Sequence, residues 1–213
     1  MAEKQKFINK YEMKSHIELY FSWWLDELQE AGYIEEWEYE KDTFKLSDPI
    51  RLSFIEKLIT KIKRREETIL EKASCTADFT IKWQKKAANV FYLDRSIPVK
   101  GKVSAIPIRL ANVNGKDLIS YVETKGNNES STSSSISFPY KQKWVYQLYG
   151  VLIQKVKPFS YTVNSNILFQ KTFYPKKVLE VEKYKRDCKY GKKGTSKLKH
   201  QTKTLSQFLK LNF

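Results

Sequence analysis

The chain predicts an α/β protein with a central mixed β-sheet flanked by helices, and three observations carry that expectation. Residues 76–83 and 117–126 are short apolar, β-branched and aromatic runs of the kind that form strands, the second closed by Gly126. Residues 15–32 repeat apolar side chains at helical spacing between a capping Ser15 and a terminating Gly32. The order helix, strand, strand, strand, helix, strand then interleaves the two element types, as layered α/β folds do. A length of 213 residues with 41% hydrophobic content suits one full-sized core with an appendage.

The elements follow in order. In the first helix, Glu18 stands three residues after Ser15 as a capping-box partner, and Phe21, Leu25 and Leu28, with Trp24 beside them, form an inward stripe. That stripe, extended back one turn, reaches Glu18, so an acid sits on the core-facing side at one helix end. Residues 33–46 alternate loosely through Ile34, Trp37, Tyr39 and Phe44 and predict an edge strand. Residues 52–72 place Phe54, Ile55, Leu58, Ile59 and Ile62 at the spacing of an amphipathic helix, whose basic outer face carries Lys63, Arg64 and Arg65. Residues 84–118 read as an inserted hairpin or meander, with Asn114-Gly115 as a turn signal and Pro98 and Pro107 at edge positions. Residues 127–137 are a low-complexity Asn/Ser/Thr loop, a mobile flap or an idle surface segment. Pro139 is expected to open a helix ending near Gly150, followed by a strand over 151–156. An α/β domain over 1–175 would thus precede a basic tail over 176–213, with a last short helix at 204–211 and poor order over 188–202.

A formal charge of +15 directs the search toward polyanions, because a positive field concentrates phosphate backbones and speeds encounter with them. Lys192 and Lys193 in the tail and Lys143 and Gln147 on the second helix join Lys63, Arg64 and Arg65 as candidate phosphate contacts. Cys75, Cys188, His16 and His200 are the only Cys and His residues, and none stands at zinc-ligand spacing. That argues against structural zinc and against His-based catalysis. The first residues carry no apolar signal region and no run approaches membrane-spanning length, which predicts a cytoplasmic location and no membrane partner.

The chemistry concentrates in the two strand-like runs. Side chains two apart on a strand share a face, so Glu123 and Lys125 project together, while Asp78 lies on the opposite side of its strand from Phe79, Ile81 and Trp83. Glu12-Met-Lys14 and Asp187-Cys-Lys189 repeat the acid-x-Lys pattern, but only Glu123-Thr-Lys125 ends an apolar strand and precedes a glycine. Two carboxylates and an ammonium so placed suit Mg2+, a hard ion that takes oxygen ligands and retains water, with Mn2+ as its substitute. Asp78 and Glu123 would supply carboxylate oxygens and Thr124 a backbone carbonyl. Lys125 would act on a water or on the developing oxyanion, and Glu18 would complete the cluster. A cross-strand salt bridge on a solvated sheet face is the other reading these residues allow.

Ala77-Asp78, Glu123-Thr-Lys125, the acid in Ser15-His-Ile-Glu18 and the helix at 138–147 together resemble the PD-(D/E)XK nuclease superfamily. More narrowly they resemble its phage branch of endonuclease I-like junction resolvases. The resemblance spans roughly residues 14–158. It departs from the family pattern at Ala77, where a proline is usual, and in the long interval from Asp78 to Glu123. It implies a restriction-endonuclease-like fold and magnesium-dependent hydrolysis of DNA phosphodiesters, but not which DNA structure, branched or single-stranded, is cut. A homodimer, and the host cytoplasm as location if the chain is phage-encoded, also follow from it. A non-catalytic nucleic-acid-binding protein and a virion or assembly protein are the alternatives from other classes.

Overall fold

The computed structural model describes residues 13–95, 106–112, 117–126, 133–164, 166–187 and 201–212. The first helix, α1 (His16–Glu30), begins where expected, because Ser15 accepts from the Glu18 N–H while the Glu18 side chain reaches back to the Ser15 N–H. Its inward stripe is fully used: Phe21, Trp24, Leu25 and Leu28 are all 0% exposed. Four strands form the central sheet: β1 (Ile34–Tyr39), β6 (Phe79–Trp83), β9 (Ile119–Thr124) and β10 (Ile153–Val156), in the order β1-β6-β9-β10. β1 and β6 pair antiparallel, as do β6 and β9, whereas β9 and β10 run parallel. Parallel neighbours need a crossover, and α2 (Ser133–Tyr149) supplies it.

Two apolar clusters cover the two faces. On one, α1 packs with α3 (Leu168–Lys171), α4 (Lys176–Asp187) and α5 (Leu205–Asn212) over Phe79, Ile81, Trp83 and Val122. Trp24 sits at its centre, stacked between Phe21 and Phe173 with edge contacts to Trp83 and Phe91, and its indole N–H donates to Thr172 at 3.2 Å. On the other, Phe138 and Val145 of α2 join Leu46 and Cys75 of a small antiparallel pair, β2 (Thr43–Ser47) and β5 (Ala73–Thr76), against Ile153 and Tyr121. The α/β expectation with a mixed sheet and helices on its faces holds at this level. Val178, Val181 and Phe208, from the basic region after residue 176, belong to the first cluster. No helix among the described residues is long and apolar enough to cross a membrane.

Several local expectations change. The segment at 52–72 is no helix but a hairpin of β3 (Ile50–Lys57) and β4 (Ile62–Leu70), paired antiparallel and turning at 58–61. Its apolar spacing fits a helix, yet Ile50, Ile55, Ile59, Thr60, Ile62, Thr68 and Ile69 are β-branched and resist one at χ1. Lys63, Arg64 and Arg65 therefore lie on a strand, exposed, with Arg65 paired to Glu56 across the hairpin. The run at 33–46 is two strands, because Glu40 adopts φ 48° and turns the chain after β1, which is indeed an edge strand. The run at 76–83 likewise divides, and Ala77 and Asp78 lie between β5 and β6. In the 84–118 region, β7 (Tyr92–Leu93) and β8 (Ile108–Arg109) pair parallel, so they are not a hairpin; 96–105 and the Asn114-Gly115 turn lie outside the described residues. The helix α2 starts at Ser133 with Pro139 inside it, so only 127–132 of the loop expected at 127–137 remain, outside the described residues. Cys188, Lys192 and Lys193 lie outside them as well.

Truncating Trp24 to Ala removes the ring that joins α1, the sheet and the C-terminal helices, and should cost about 3–5 kcal/mol in urea unfolding. Ser15→Ala removes one half of the capping box and should cost about 1 kcal/mol in the same measurement.

Candidate active site

The β6–β9 register builds the site. The paired register ends with Phe79 opposite Val122, and Asp78 and Glu123 are the next residues beyond that pair on their own segments. Asp78 is locked there by Thr124, whose backbone N–H and hydroxyl both donate to Asp78 Oδ2, at 2.7 and 2.9 Å. Glu123 in turn forms an ion pair with Lys125 two residues along, at 2.7 Å, with both side chains under a fifth exposed. Lys155 of β10 is register partner to Glu123 on its other side. Burial of Gly126 near the start of α1 completes the corner, since a Cβ there would lie 4.0 Å from Ile17.

Electrostatics follow from that packing. Burial, and then the Glu123 carboxylate opposite, push the Asp78 carboxyl up to about 7; the two bonds from Thr124 pull it back, and Glu18 adds a further push. Burial, then Glu123, also pushes the Cys75 thiol up. Glu18 is thus close enough to be felt at Asp78, but its own oxygens are engaged. They accept from the Lys14 N–H at 2.9 Å, the Ser15 hydroxyl at 2.9 Å and the Tyr39 hydroxyl at 2.7 Å. The capping role is formed, and Glu18 borders the carboxylate pair.

The donor set can be tested against a divalent cation. The Glu123 charge is felt at Asp78, and among the described residues the hydrogen bonds to the Asp78 carboxylate fall on Oδ2. Among the described residues no group of three or more His, Cys, Asp or Glu side chains is placed to hold a metal ion. The fit is therefore a pair of carboxylate ligands, with other positions left to backbone, water and phosphate oxygens, as Mg2+ prefers.

The remaining candidates sit apart from this corner in different ways. Lys143 and Gln147 are exposed on α2, on the side away from buried Phe138 and Val145. Gln142 donates to the Ile153 carbonyl at 2.6 Å and so ties α2 to β10. Lys63, Arg64 and Arg65 belong to the β3–β4 hairpin. Sequence reasoning did not assign Tyr39, which donates to Glu18 from β1, nor Lys155, which becomes the register partner of Glu123 only through the parallel β9–β10 pairing. No local pattern marks either residue.

No protein-family model, no curated protein and no solved structure matches this chain.

The upward shift at Asp78 has a consequence for stability. The folded state holds a proton that the unfolded chain, at the usual 3.8, releases, so stability falls as pH rises from about 4 to about 7. Asp78→Asn keeps an acceptor for Thr124 and removes the charge. In chelator it should therefore melt higher than wild type at pH 8, by up to about 4 kcal/mol, and equally below pH 4. Calorimetry at the two pH values checks both halves.

Proposed function

We propose that the chain is a metal-dependent endodeoxyribonuclease of the PD-(D/E)XK kind on a restriction-endonuclease-like fold, with Asp78 and Glu123 as metal ligands and Lys125 as the catalytic cation. The observation that carries this reading is that the Asp78 carboxylate is held by Thr124, the residue between Glu123 and Lys125, which are themselves ion-paired. The mixed sheet order β1-β6-β9-β10 with α1 on one face and the crossover helix on the other supports it. The charge of +15 supports a polyanionic substrate.

A bound Mg2+ or Mn2+ would lower the pKa of a coordinated water and offset charge on the phosphate. The chain's own residues do the rest. Thr124 orients Asp78 through two bonds to one oxygen, which leaves the other directed by the same fixed rotamer. Lys125, now on Glu123, is within reach of a phosphate oxygen or a water brought to that carboxylate, where it would hold or take a proton. Glu18 keeps the corner anionic, and through Tyr39 it fixes the distance between α1 and the sheet edge. Thr124 would offer its carbonyl, and Lys143, Gln147, Lys63, Arg64, Arg65, Lys192 and Lys193 would contact backbone phosphates.

A second reading, a nucleic-acid-binding protein without chemistry, is favoured by the absence of a three-ligand cluster among the described residues. One experiment separates the two. Purified protein should nick plasmid, single-stranded or branched DNA in Mg2+ or Mn2+ and stop on chelation. Glu123→Gln should lose at least about 100-fold in cleavage while retaining DNA affinity. Mn2+ should raise the melting temperature of wild type and leave Asp78→Asn unmoved. Intact DNA in both metals, with no thermal shift, would leave the binding reading in place.

A further inference from the structure

The β3–β4 hairpin stands out from the rest of the molecule. All nine residues of β4 are exposed, and Glu56 alone in β3 is less than fully so. Ile55 is 73% exposed, Ile62 68% and Leu52 52%, and the hairpin forms a two-stranded sheet of its own. A lone two-stranded hairpin is marginally stable in water, and each of its outer edges offers unpaired N–H and C=O groups to another strand.

The charge order of β4 says what that strand is. It reads Lys63-Arg64-Arg65-Glu66-Glu67, cationic then anionic. Two antiparallel copies related by a two-fold axis must place one residue opposite itself, because opposed residues share a face. With Arg65 at the axis, Arg64 faces Glu66 of the second copy and Lys63 faces Glu67. Each pair occurs twice, giving four opposite-charge pairs. The single like pair, Arg65 with its copy, is offset by Glu56, which already binds Arg65 within each hairpin. With Glu66 at the axis instead, only the Arg65–Glu67 pair survives and Lys63 meets Ile69. Opposite-charge cross-strand pairs stabilise a sheet while like pairs oppose it, so the first register wins.

We propose that this hairpin is a dimerisation arm: β4 pairs edge to edge with β4 of a second copy, centred on Arg65, to make a four-stranded sheet β3-β4-β4-β3. The pairing satisfies both β4 edges and sets the Ile50, Leu52 and Phe54 strips of the two copies on one face of that sheet. It does not depend on the nuclease reading.

Charge exchange tests it. Wild type should show a light-scattering mass of twice 25.2 kDa at micromolar concentration. The double variants Lys63→Glu/Arg64→Glu and Glu66→Lys/Glu67→Lys should each fall to the monomer mass, since each pairs like with like. Mixed in equal amounts, they should regain the twofold mass. All four side chains are exposed, so circular dichroism should show both variants folded. A monomeric wild type, variants that stay dimeric, or a mixture that stays monomeric would overturn the proposal. So would an acidic variant that loses only DNA affinity, which would assign the arm to nucleic acid.

Discussion

The pairing of β6 with β9 is the constraint on which the rest depends. With Phe79 opposite Val122, one face of both strands enters the aromatic core, and Glu123 falls on the other face of β9. A slip of β9 by one residue would turn Val122 out of the core and Glu123 into it, at a cost no local adjustment could offset. Polar pins hold the same register at both ends. Trp83 donates to Ser120, which donates on to the Arg109 carbonyl, and Thr124 donates twice to Asp78. The core that makes the slip prohibitive is therefore also what positions the site.

That positioning carries a stability cost. Burial, and then the nearby Glu123 carboxylate, push the Asp78 carboxyl up to about 7. Structures keep such an arrangement where the surrounding packing over-determines it, and here the surrounding packing is dense. Phe21, Trp24, Phe79, Phe91 and Phe173 interlock at centroid separations of 4.9 to 6.3 Å, directly behind the strands that carry the acids. The β3–β4 arm is the contrary case: few buried contacts, high charge, and edges open to another chain.

Much of the corner was legible in the sequence because its signals are local. The capping box of Ser15 and Glu18, the inward stripe of α1 and the strand that ends at Glu123-Thr124 all depend on residues within a few positions of one another. The misreadings share one cause. Residues 52–72 satisfy helical spacing, and their β-branched residues together with antiparallel pairing across the turn make the strand form preferable. Pro139 reads as a helix opener, but α2 accommodates it in the interior.

By itself, then, the sequence determined what depends on short-range sterics and periodicity: the α/β class, the caps and the core faces. Tertiary structure alone decided which charges meet. Asp78 gains its bonds from Thr124 across the sheet, Lys155 becomes the register partner of Glu123, and Glu18 gains Tyr39 across the helix–sheet interface. The physical reason is range. A rotamer or a cap is set within one turn of chain, whereas a cross-strand partner is chosen by the burial of whole faces, and that free energy belongs to no local window.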